Sequence, residues 1–196
     1  MKRNHFRPIS ATAGVLLLLS GCSSPTPVLY TIAPISGTAR SGSPQVVVLR
    51  QIAVARYLER TQIVRSSENY ELRVASNDWW GEPLAGMLGR VLVTELGQRL
   101  PQSTVVSETG AVSATPDLTV ELNIQRLDQD SSGNLVLQAQ TSVSAKDQDR
   151  PSLGTFTITV PPASPTIQGE VGQISTAVGQ LADKLAPMIK SEPVSQ

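Results

Sequence analysis

Cysteine and histidine supply many of the nucleophiles, general bases and metal ligands of enzymes, and each occurs once in this sequence of 196 residues. Cys22 follows a basic start and an apolar stretch over residues 9–19, and His5 lies within the basic start. A segment built in this way is typical of a secretory signal, which is removed from the mature protein. The mature chain would then have no histidine and no disulfide. We therefore predict that it is not an enzyme, has no catalytic residues, holds no metal and needs no cofactor.

Acidic side chains are the remaining candidates for acid–base or metal chemistry. Asp128 and Asp130 have the spacing of the beginning of a calcium-binding loop, but Ala139 stands where that loop needs a bidentate glutamate. Glu68 and Glu71 lie in a polar turn, where no burial would raise a carboxyl pKa. We interpret both groups as solvated turns. A glycan hydrolase would instead require two carboxylates about 5–10 Å apart in a cleft.

The first 22 residues indicate the compartment. Lys2, Arg3 and Arg7 precede an apolar stretch that is shorter than the ~20 residues needed to cross a bilayer. Residues 19–22, Leu-Ser-Gly-Cys, are similar to the lipobox of bacterial lipoproteins. This similarity implies cleavage before Cys22, a diacylglycerol on its sulfur and a fatty acid such as palmitate on the new amine.

The same similarity divides the start of the chain into two segments. We expect residues 1–21 to be the lipoprotein signal peptide. Residues 22–44 are rich in Ser, Pro, Thr and Gly, and we expect them to be the lipidated cysteine and a flexible tether.

The mature chain is weakly acidic. Residues 1–21 contain three of the 16 Lys and Arg residues and none of the 16 Asp and Glu residues, which leaves 13 basic against 16 acidic residues, or about −3. A chain with this charge has no basic field to attract nucleic acid, and 4% aromatic residues offer few surfaces for base stacking. We therefore predict no nucleic-acid partner.

Hydrophobic periodicity predicts several strands. Residues 46–54 form a β-branched run typical of a buried strand, and residues 63–74 have the pattern of a hairpin. Three later runs, over residues 118–125, 135–145 and 156–160, alternate between apolar and polar side chains, which is the period of a half-buried strand. We expect these three runs to form an antiparallel meander.

Two amphipathic helices are predicted. Apolar residues recur at three- and four-residue spacing over residues 84–100 and again over residues 171–188. Pro187 indicates an end or a bend near Ala186. The order of strands, helix, strands and helix favours an α+β fold in which one antiparallel sheet carries both helices on one face. We expect a single domain over residues 45–190 and a C-terminal tail over residues 191–196.

Adjacent tryptophans and several arginines are candidates for a partner surface. Trp79 and Trp80 precede the first helix, where one indole of an adjacent pair would be exposed and could anchor an interface. The alternative for both is burial in the core. Arg60 is one of five arginines in the early strands, which would contact an acidic partner or lipid headgroups, or else form a solvated face balanced by glutamates.

Two stretches, residues 54–64 and residues 80–101, carry a family resemblance. Their distinctive positions are Tyr57, Leu58, Arg60, Gln62, Ile63, Val64, Trp80, Pro83 and Leu84. In these positions the sequence resembles the PqiC-type family of outer-membrane lipoproteins, which are auxiliary components of ABC-type transporters. The resemblance covers residues 19–101. Ala55 and Arg56 stand where the family often has a proline, and Glu59 stands where Asp is common.

The resemblance implies a non-catalytic lipoprotein of an intermembrane lipid transport system that supports envelope integrity. Its partners would be a periplasmic protein of the MCE (mammalian cell entry) class, similar to PqiB, inner-membrane transporter components, and further copies of the chain in a homo-oligomer. Tyr57, Arg60, Trp79 and Trp80 would form the partner interface. Ser23 agrees with a place on the periplasmic face of the outer membrane, because Asp after the cysteine is the usual inner-membrane retention signal.

Two other functions fit the same residues. A lipid-binding periplasmic module would need an apolar cavity of roughly several hundred Å³ between sheet and helices. A general outer-membrane assembly lipoprotein would share the anchor but not the transport partners.

Overall fold

The computed structural model describes residues 25–42, 45–146, 148 and 150–191. Cys22 and the expected signal peptide lie outside these residues. The described chain is a single α+β domain with two helices and two sheets, which confirms the predicted fold class. The three antiparallel strand pairs contain most of the paired residues, and the four parallel pairs are short.

The larger sheet has six strands. In spatial order its main strands are β6 (Thr104–Ser107), β2 (Val46–Leu49), β7 (Leu118–Gln129), β8 (Leu135–Ala145) and β9 (Ser152–Val160), and the short β3 (Ala53–Val54) also pairs with β7. The last three strands form the predicted antiparallel meander. β2 instead runs parallel to both of its neighbours. The sheet is mixed because the chain between β2 and β6 includes a helix, and a helical connection lets the later strand run in the same direction as the earlier one.

A second, three-stranded sheet is built around the predicted hairpin. β4 (Gln62–Ser66) and β5 (Arg73–Trp80) are antiparallel, and β1 (Val28–Tyr30) pairs in parallel with the end of β5. A 3-10 helix, Arg56–Leu58, leads from β3 into this hairpin. The expected single sheet is thus divided in two, because β4 pairs with β5 and β5 with β1, and none of the three pairs with a described strand of the larger sheet.

The helices α1 (Leu84–Arg99) and α2 (Ile167–Ser191) pack against each other, α1 beside β6 and α2 on β8 and β9. Pro187 lies inside α2, so the helix does not end near Ala186. Leu185 and Ile189 on either side of the proline are fully buried, and their packing holds the last turn in place. Neither described helix has the length and hydropathy that a bilayer-spanning segment requires.

Residues 31–40, which we expected to belong to the tether, run across both helices. The Ala33 N–H donates a hydrogen bond to Ser175 Oγ on α2 at 3.2 Å. The Ile35 N–H donates to Glu95 Oε1 on α1 at 2.7 Å. We refer to residues 31–40 as the strap. Its hydrogen bonds and the β1–β5 pairing include the chain from residue 28 onward in the folded domain.

Candidate functional site

The four residues expected to form a partner interface lie close together in the fold. Tyr57 belongs to the 3-10 helix, Arg60 follows it, and Trp79 and Trp80 end β5. The hairpin joins these two segments, because the Trp80 N–H donates to the Thr61 carbonyl oxygen at 2.7 Å. Their side chains nevertheless have very different surroundings.

Tyr57 points its hydroxyl into the protein. The hydroxyl donates to Asp128 Oδ2 at 2.8 Å, and the side chain is half-buried. Burial, together with the hydrogen bond to the Asp128 carboxylate, raises the pKa of Tyr57 to about 12. The phenol therefore stays protonated at neutral pH and serves as a structural donor.

The two tryptophans differ as adjacent residues of a strand must. Trp80 is 5% exposed and belongs to the core, whereas Trp79 on the opposite side is half-buried. Trp79 lies between Leu29 on β1 and Gln62 on β4 in the strand register. Its indole nitrogen is buried and has no hydrogen-bond partner in the described part of the chain.

A groove of about 590 Å³ lies where the hairpin meets the start of α1. Its lining residues are Val54, Glu59, Arg60, Thr61, Trp80, Gly81, Glu82, Pro83, Leu84 and Ala85. Pro83 precedes the helix with an extended backbone, so the chain turns sharply from β5 into α1 and leaves the groove open. Of the four expected interface residues, the groove includes Arg60 and Trp80.

Three charged residues line the groove: Glu59, which is exposed, Arg60 and Glu82. Arg60 is exposed, and its Nε donates to the Tyr57 carbonyl oxygen at 2.9 Å. Glu82 forms an ion pair with Arg90 on the first turns of α1. An apolar group could therefore enter the groove between Trp80 and Leu84, while Arg60 donates hydrogen bonds to an acceptor at the rim.

A second recess, of about 610 Å³, lies on the larger sheet and brings two carboxylates together. Arg50 lies between them and forms ion pairs with Glu108 at 3.9 Å and with Glu121 at 3.0 Å. Both carboxylates are half exposed. A general acid needs burial that favours its protonated form, and neither side chain has it. This recess gives no support to hydrolysis.

Two further glutamates are fully buried. Burial raises the pKa of Glu95 to about 7, against the opposing effects of the Ile35 N–H and Arg99. Burial likewise raises the pKa of Glu170 to about 7, although Arg65 Nε donates to its Oε2 at 3.1 Å. The described residues include no cluster of three or more acidic, cysteine or histidine side chains that could hold a metal ion. Both glutamates join structural elements to each other.

Asp128 is the polar residue that the sequence interpretation missed. It is fully buried and accepts hydrogen bonds from Ser67, Tyr57 and Arg126, so it does not lie in a solvated turn. The alternation of apolar and polar residues along β7 was the signal that could have indicated which of its side chains are buried. A bulge after Ile124 shifts the faces of the residues that follow it, Asp128 among them. Asp130, in contrast, does cap the β7–β8 turn as expected, because its carboxylate accepts the backbone N–H groups of Ser132 and Asn134.

The lipid-attachment residue Cys22 lies outside the described residues, so its acylation stays a prediction. The chain that leads to it begins at Pro25.

Comparisons with known proteins agree with the fold and indicate a family. A family model described as the ABC-type transport auxiliary lipoprotein component matches residues 30–186. A solved structure titled as an uncharacterized protein is similar with a TM-score of 0.71 and 19% identity over 84% of this chain and 99% of that chain. A Xanthomonas campestris protein of the family DUF330 is similar with a TM-score of 0.69 and 16% identity over 81% of this chain and 92% of that chain. No curated protein matches the sequence.

Proposed function

The chain belongs to the family of ABC-type transport auxiliary lipoprotein components, and from this we propose that it is a non-catalytic outer-membrane lipoprotein that docks a periplasmic MCE-class protein, similar to PqiB. Together with inner-membrane transporter components, the two would move lipids between the membranes and support the integrity of the envelope. The family membership supports a transport role and a lipid anchor. The partner and the membrane are parts of the proposal.

A binding function rather than catalysis is supported by what surrounds the acidic groups. The buried carboxylates Glu95, Asp128 and Glu170 each accept hydrogen bonds from structural donors. Glu108 and Glu121 share Arg50 as an ion-pair partner. The three buried carboxylates thus serve as acceptors inside the fold, and the two in the recess are half exposed and share a cation, whereas acid–base catalysis uses a desolvated group free to exchange a proton.

The observation that carries the docking proposal is the groove beside Trp80. Its volume of about 590 Å³ and its apolar walls suit one or two apolar side chains of a partner segment. Arg60 at the rim can donate to a backbone carbonyl or a carboxylate of that segment. Tyr57 contributes by fixing the 3-10 helix that carries Arg60, through its hydrogen bond to Asp128.

Two arginines provide a matched test of the groove. Arg56 and Arg60 are both exposed and lie four residues apart, but only Arg60 lines the groove. We expect R60E to weaken capture of the MCE-class partner from detergent-solubilised native membranes about tenfold or more, and R56E to leave it nearly unchanged. Mass spectrometry of the captured proteins identifies the partner, and urea unfolding verifies that both variants fold.

Equal capture by both variants would remove the groove from the interface. If the unmodified lipoprotein captured no MCE-class protein and no transporter component, the transport proposal itself would be wrong.

The proposed anchor has its own test. We expect C22A to move the chain from the outer-membrane fraction into a soluble or inner-membrane fraction and to leave the signal peptide uncleaved, because neither the lipid nor the cleavage site would form. Intact mass of the native protein should match residues 22–196 with acyl chains. A native amino terminus without lipid would contradict the anchor.

The groove also supports a second function, a lipid-binding module. Its volume lies within the range of about 300–1,000 Å³ that is usual for ligand pockets. In that case the purified protein would contain stoichiometric phospholipid in the absence of any partner, and L84W would displace it by filling the groove. Protein free of lipid after mild extraction would exclude this function.

Further copies of the chain are part of the proposal as well. β9 is an edge strand of nine residues, and Leu153 on it is 74% exposed. Unprotected edges of this length pair readily with another strand. If copies associate there, L153K would shift the mass that light scattering measures toward the monomer, whereas V112K in an exposed loop would not.

A further inference from the structure

The pairing of β1 sets the direction from which the anchor reaches the domain. β1 is parallel to β5, with Val28 opposite Asp78. The Asn77 side-chain amide donates to the Thr26 carbonyl oxygen at 3.0 Å, so the chain before β1 continues along β5. It therefore runs toward the beginning of β5, which is the end of the sheet where the β4–β5 hairpin turns.

The chain between this point and the anchor is short. Only Ser23 and Ser24 separate Cys22 from Pro25, the first described residue. Three residue steps reach at most about 10 Å even when fully extended. Acyl chains on Cys22 would therefore hold the bilayer close to the hairpin end of the small sheet, and the domain could not stand far from the membrane.

The hairpin presents apolar side chains at this same end. We refer to residues 67–74 as the hairpin tip. Tyr70 is fully exposed, and Leu72 and Val74 are 38% and 39% exposed. Asn69 and Tyr70 have φ angles of 55° and 62°, a left-handed conformation that is uncommon for residues other than glycine. This costly backbone conformation places an aromatic ring in solvent, where folding alone gains nothing from it.

The charged groups around the hairpin tip are paired with one another. Glu71 forms an ion pair with Arg73 at 3.3 Å, and Glu68 pairs with Arg126 at 2.8 Å. Glu170 at the start of α2 and Asp130 in the β7–β8 turn add two acidic groups, of which Glu170 is paired with Arg65. No excess of positive charge would attract an anionic surface. A zwitterionic phospholipid surface, which needs no such field, suits the tip better.

We propose that the hairpin tip is a second membrane contact. Tyr70 inserts into the headgroup region of the bilayer that holds the lipid anchor, and Leu72 and Val74 contact the same region. Tyrosine is favoured at this depth because its ring is apolar and its hydroxyl stays hydrated. The inference rests on the proposed acylation of Cys22. Two contacts, the acyl chains and the tip, fix the orientation of the domain and hold it against the membrane surface.

The test uses the lipidated protein in phosphatidylcholine vesicles. Because the Cys22 sulfur carries lipid, a cysteine introduced by Y70C is the only free thiol and can be labelled with the fluorophore NBD. V112C is the matched control, since Val112 is apolar and 67% exposed. Val112 lies in the loop that leads into β7, and the start of β7 at Leu118 is ten residues, or about 33 Å, from Asp128, which contacts the tip through Ser67.

We expect the label at position 70 to emit at shorter wavelength and to be quenched severalfold more by brominated phospholipid than the label at position 112. Adding anionic lipid or salt should change the quenching little. Equal quenching at the two positions would overturn the proposal, and so would shielding of the Y70C label by a partner protein and not by lipid.

Intact mass of the same samples separates this inference from its premise. A protein that carries acyl chains on Cys22 but leaves the label at position 70 in water would refute the tip contact alone. A protein without acyl chains would refute the anchor.

Discussion

Three side chains donate hydrogen bonds to the buried carboxylate of Asp128. Tyr57 and Ser67 donate to Oδ2 at 2.8 and 2.7 Å, and Arg126 Nε donates to Oδ1 at 2.9 Å. These donors come from the 3-10 helix, the hairpin tip and β7 itself. The single carboxylate thus connects the small sheet, the segment that carries Arg60 and the larger sheet, and it sets the position of both proposed surfaces.

The connection predicts a large stability effect. D128A leaves three buried or half-buried donors without their acceptor and should lower the free energy of unfolding by about 2–4 kcal/mol. Y57F removes one of the three hydrogen bonds and should cost about 1 kcal/mol. Urea unfolding measures both, and E59Q at an exposed position is the control, with an expected change within about 0.5 kcal/mol. A D128A variant as stable as E59Q would contradict this role.

Glu95 and Glu170 predict how stability depends on pH. Each has a pKa near 7 in the folded protein and an ordinary pKa of 4.5. Between these values the folded chain holds protons that the unfolded chain has released, so the free energy of unfolding should fall as the pH rises from about 5 to about 7. The expected fall is at least the ~1.4 kcal/mol that corresponds to one pKa unit.

The variant E95Q/E170Q tests the assignment. It mimics the neutral carboxyl groups at every pH, so its stability should vary less between pH 5 and pH 8 than that of the unmodified protein. Urea unfolding at the two pH values makes the comparison. An unchanged pH dependence in the variant would attribute the effect to other groups.

At the scale of the elements, the strap and α2 depend on close approach. Arg99 at the end of α1 is fully buried, and its guanidinium donates to the carbonyl oxygens of Ile35 on the strap and Gly179 on α2, and to the Asp183 carboxylate. Gly179 permits this arrangement, because a Cβ there would lie 2.9 Å from Ile35 Cβ. Arg99 thus connects α1 to both the strap and α2.

Two glycines of α2 give a matched prediction. Gly172 is exposed, with nothing within 4 Å of a Cβ, so G172A should stabilise the protein by about 0.5–1 kcal/mol through its higher helix propensity. G179A has the same gain in propensity but displaces Ile35 and should destabilise the protein by about 1–3 kcal/mol. Thermal and urea unfolding of the two variants measure the difference. Equal stabilisation in both would indicate that the strap does not lie against α2.

At the scale of the whole molecule, the strap and β1 decide how much of the chain before the first helix belongs to the folded domain. A flexible tether would let the domain turn in any direction. In the structure the N–H groups of Ala33, Ile35 and Arg40 all have acceptors on the helices, and Ile32 is buried. The folded domain therefore begins no later than Val28, six positions after Cys22.

Hydrogen exchange tests this arrangement directly. The amides of Ile32, Ala33, Ile35 and Arg40 should exchange at least about a hundredfold more slowly than those of residues 111–115, which are exposed in the loop before β7. Mass spectrometry of peptides, on the lipidated full chain, resolves the two segments. Exchange of the strap as fast as that of the loop would restore a long flexible tether.

Local sequence patterns were enough to predict several features of this protein. The lipobox-like residues 19–22, the meander and both helices follow from side chains within a few positions of one another, and period and covalent chemistry are readable at that range. The family resemblance, too, came from short runs around Tyr57 and Trp80, and the match over residues 30–186 confirms it.

Only the tertiary structure decided which segments meet. Asp128 accepts a hydrogen bond from Tyr57, 71 positions away, and the strap is bonded to helices 60 and 142 positions away. The parallel pairing of β1 with β5 directs the first described residues toward the hairpin tip. Residues 31–40 have the composition of a linker. The groups that bind them belong to other parts of the chain, so their own sequence does not indicate that they are held. Contacts at such separations are set by the packing of the whole domain, which no local pattern encodes.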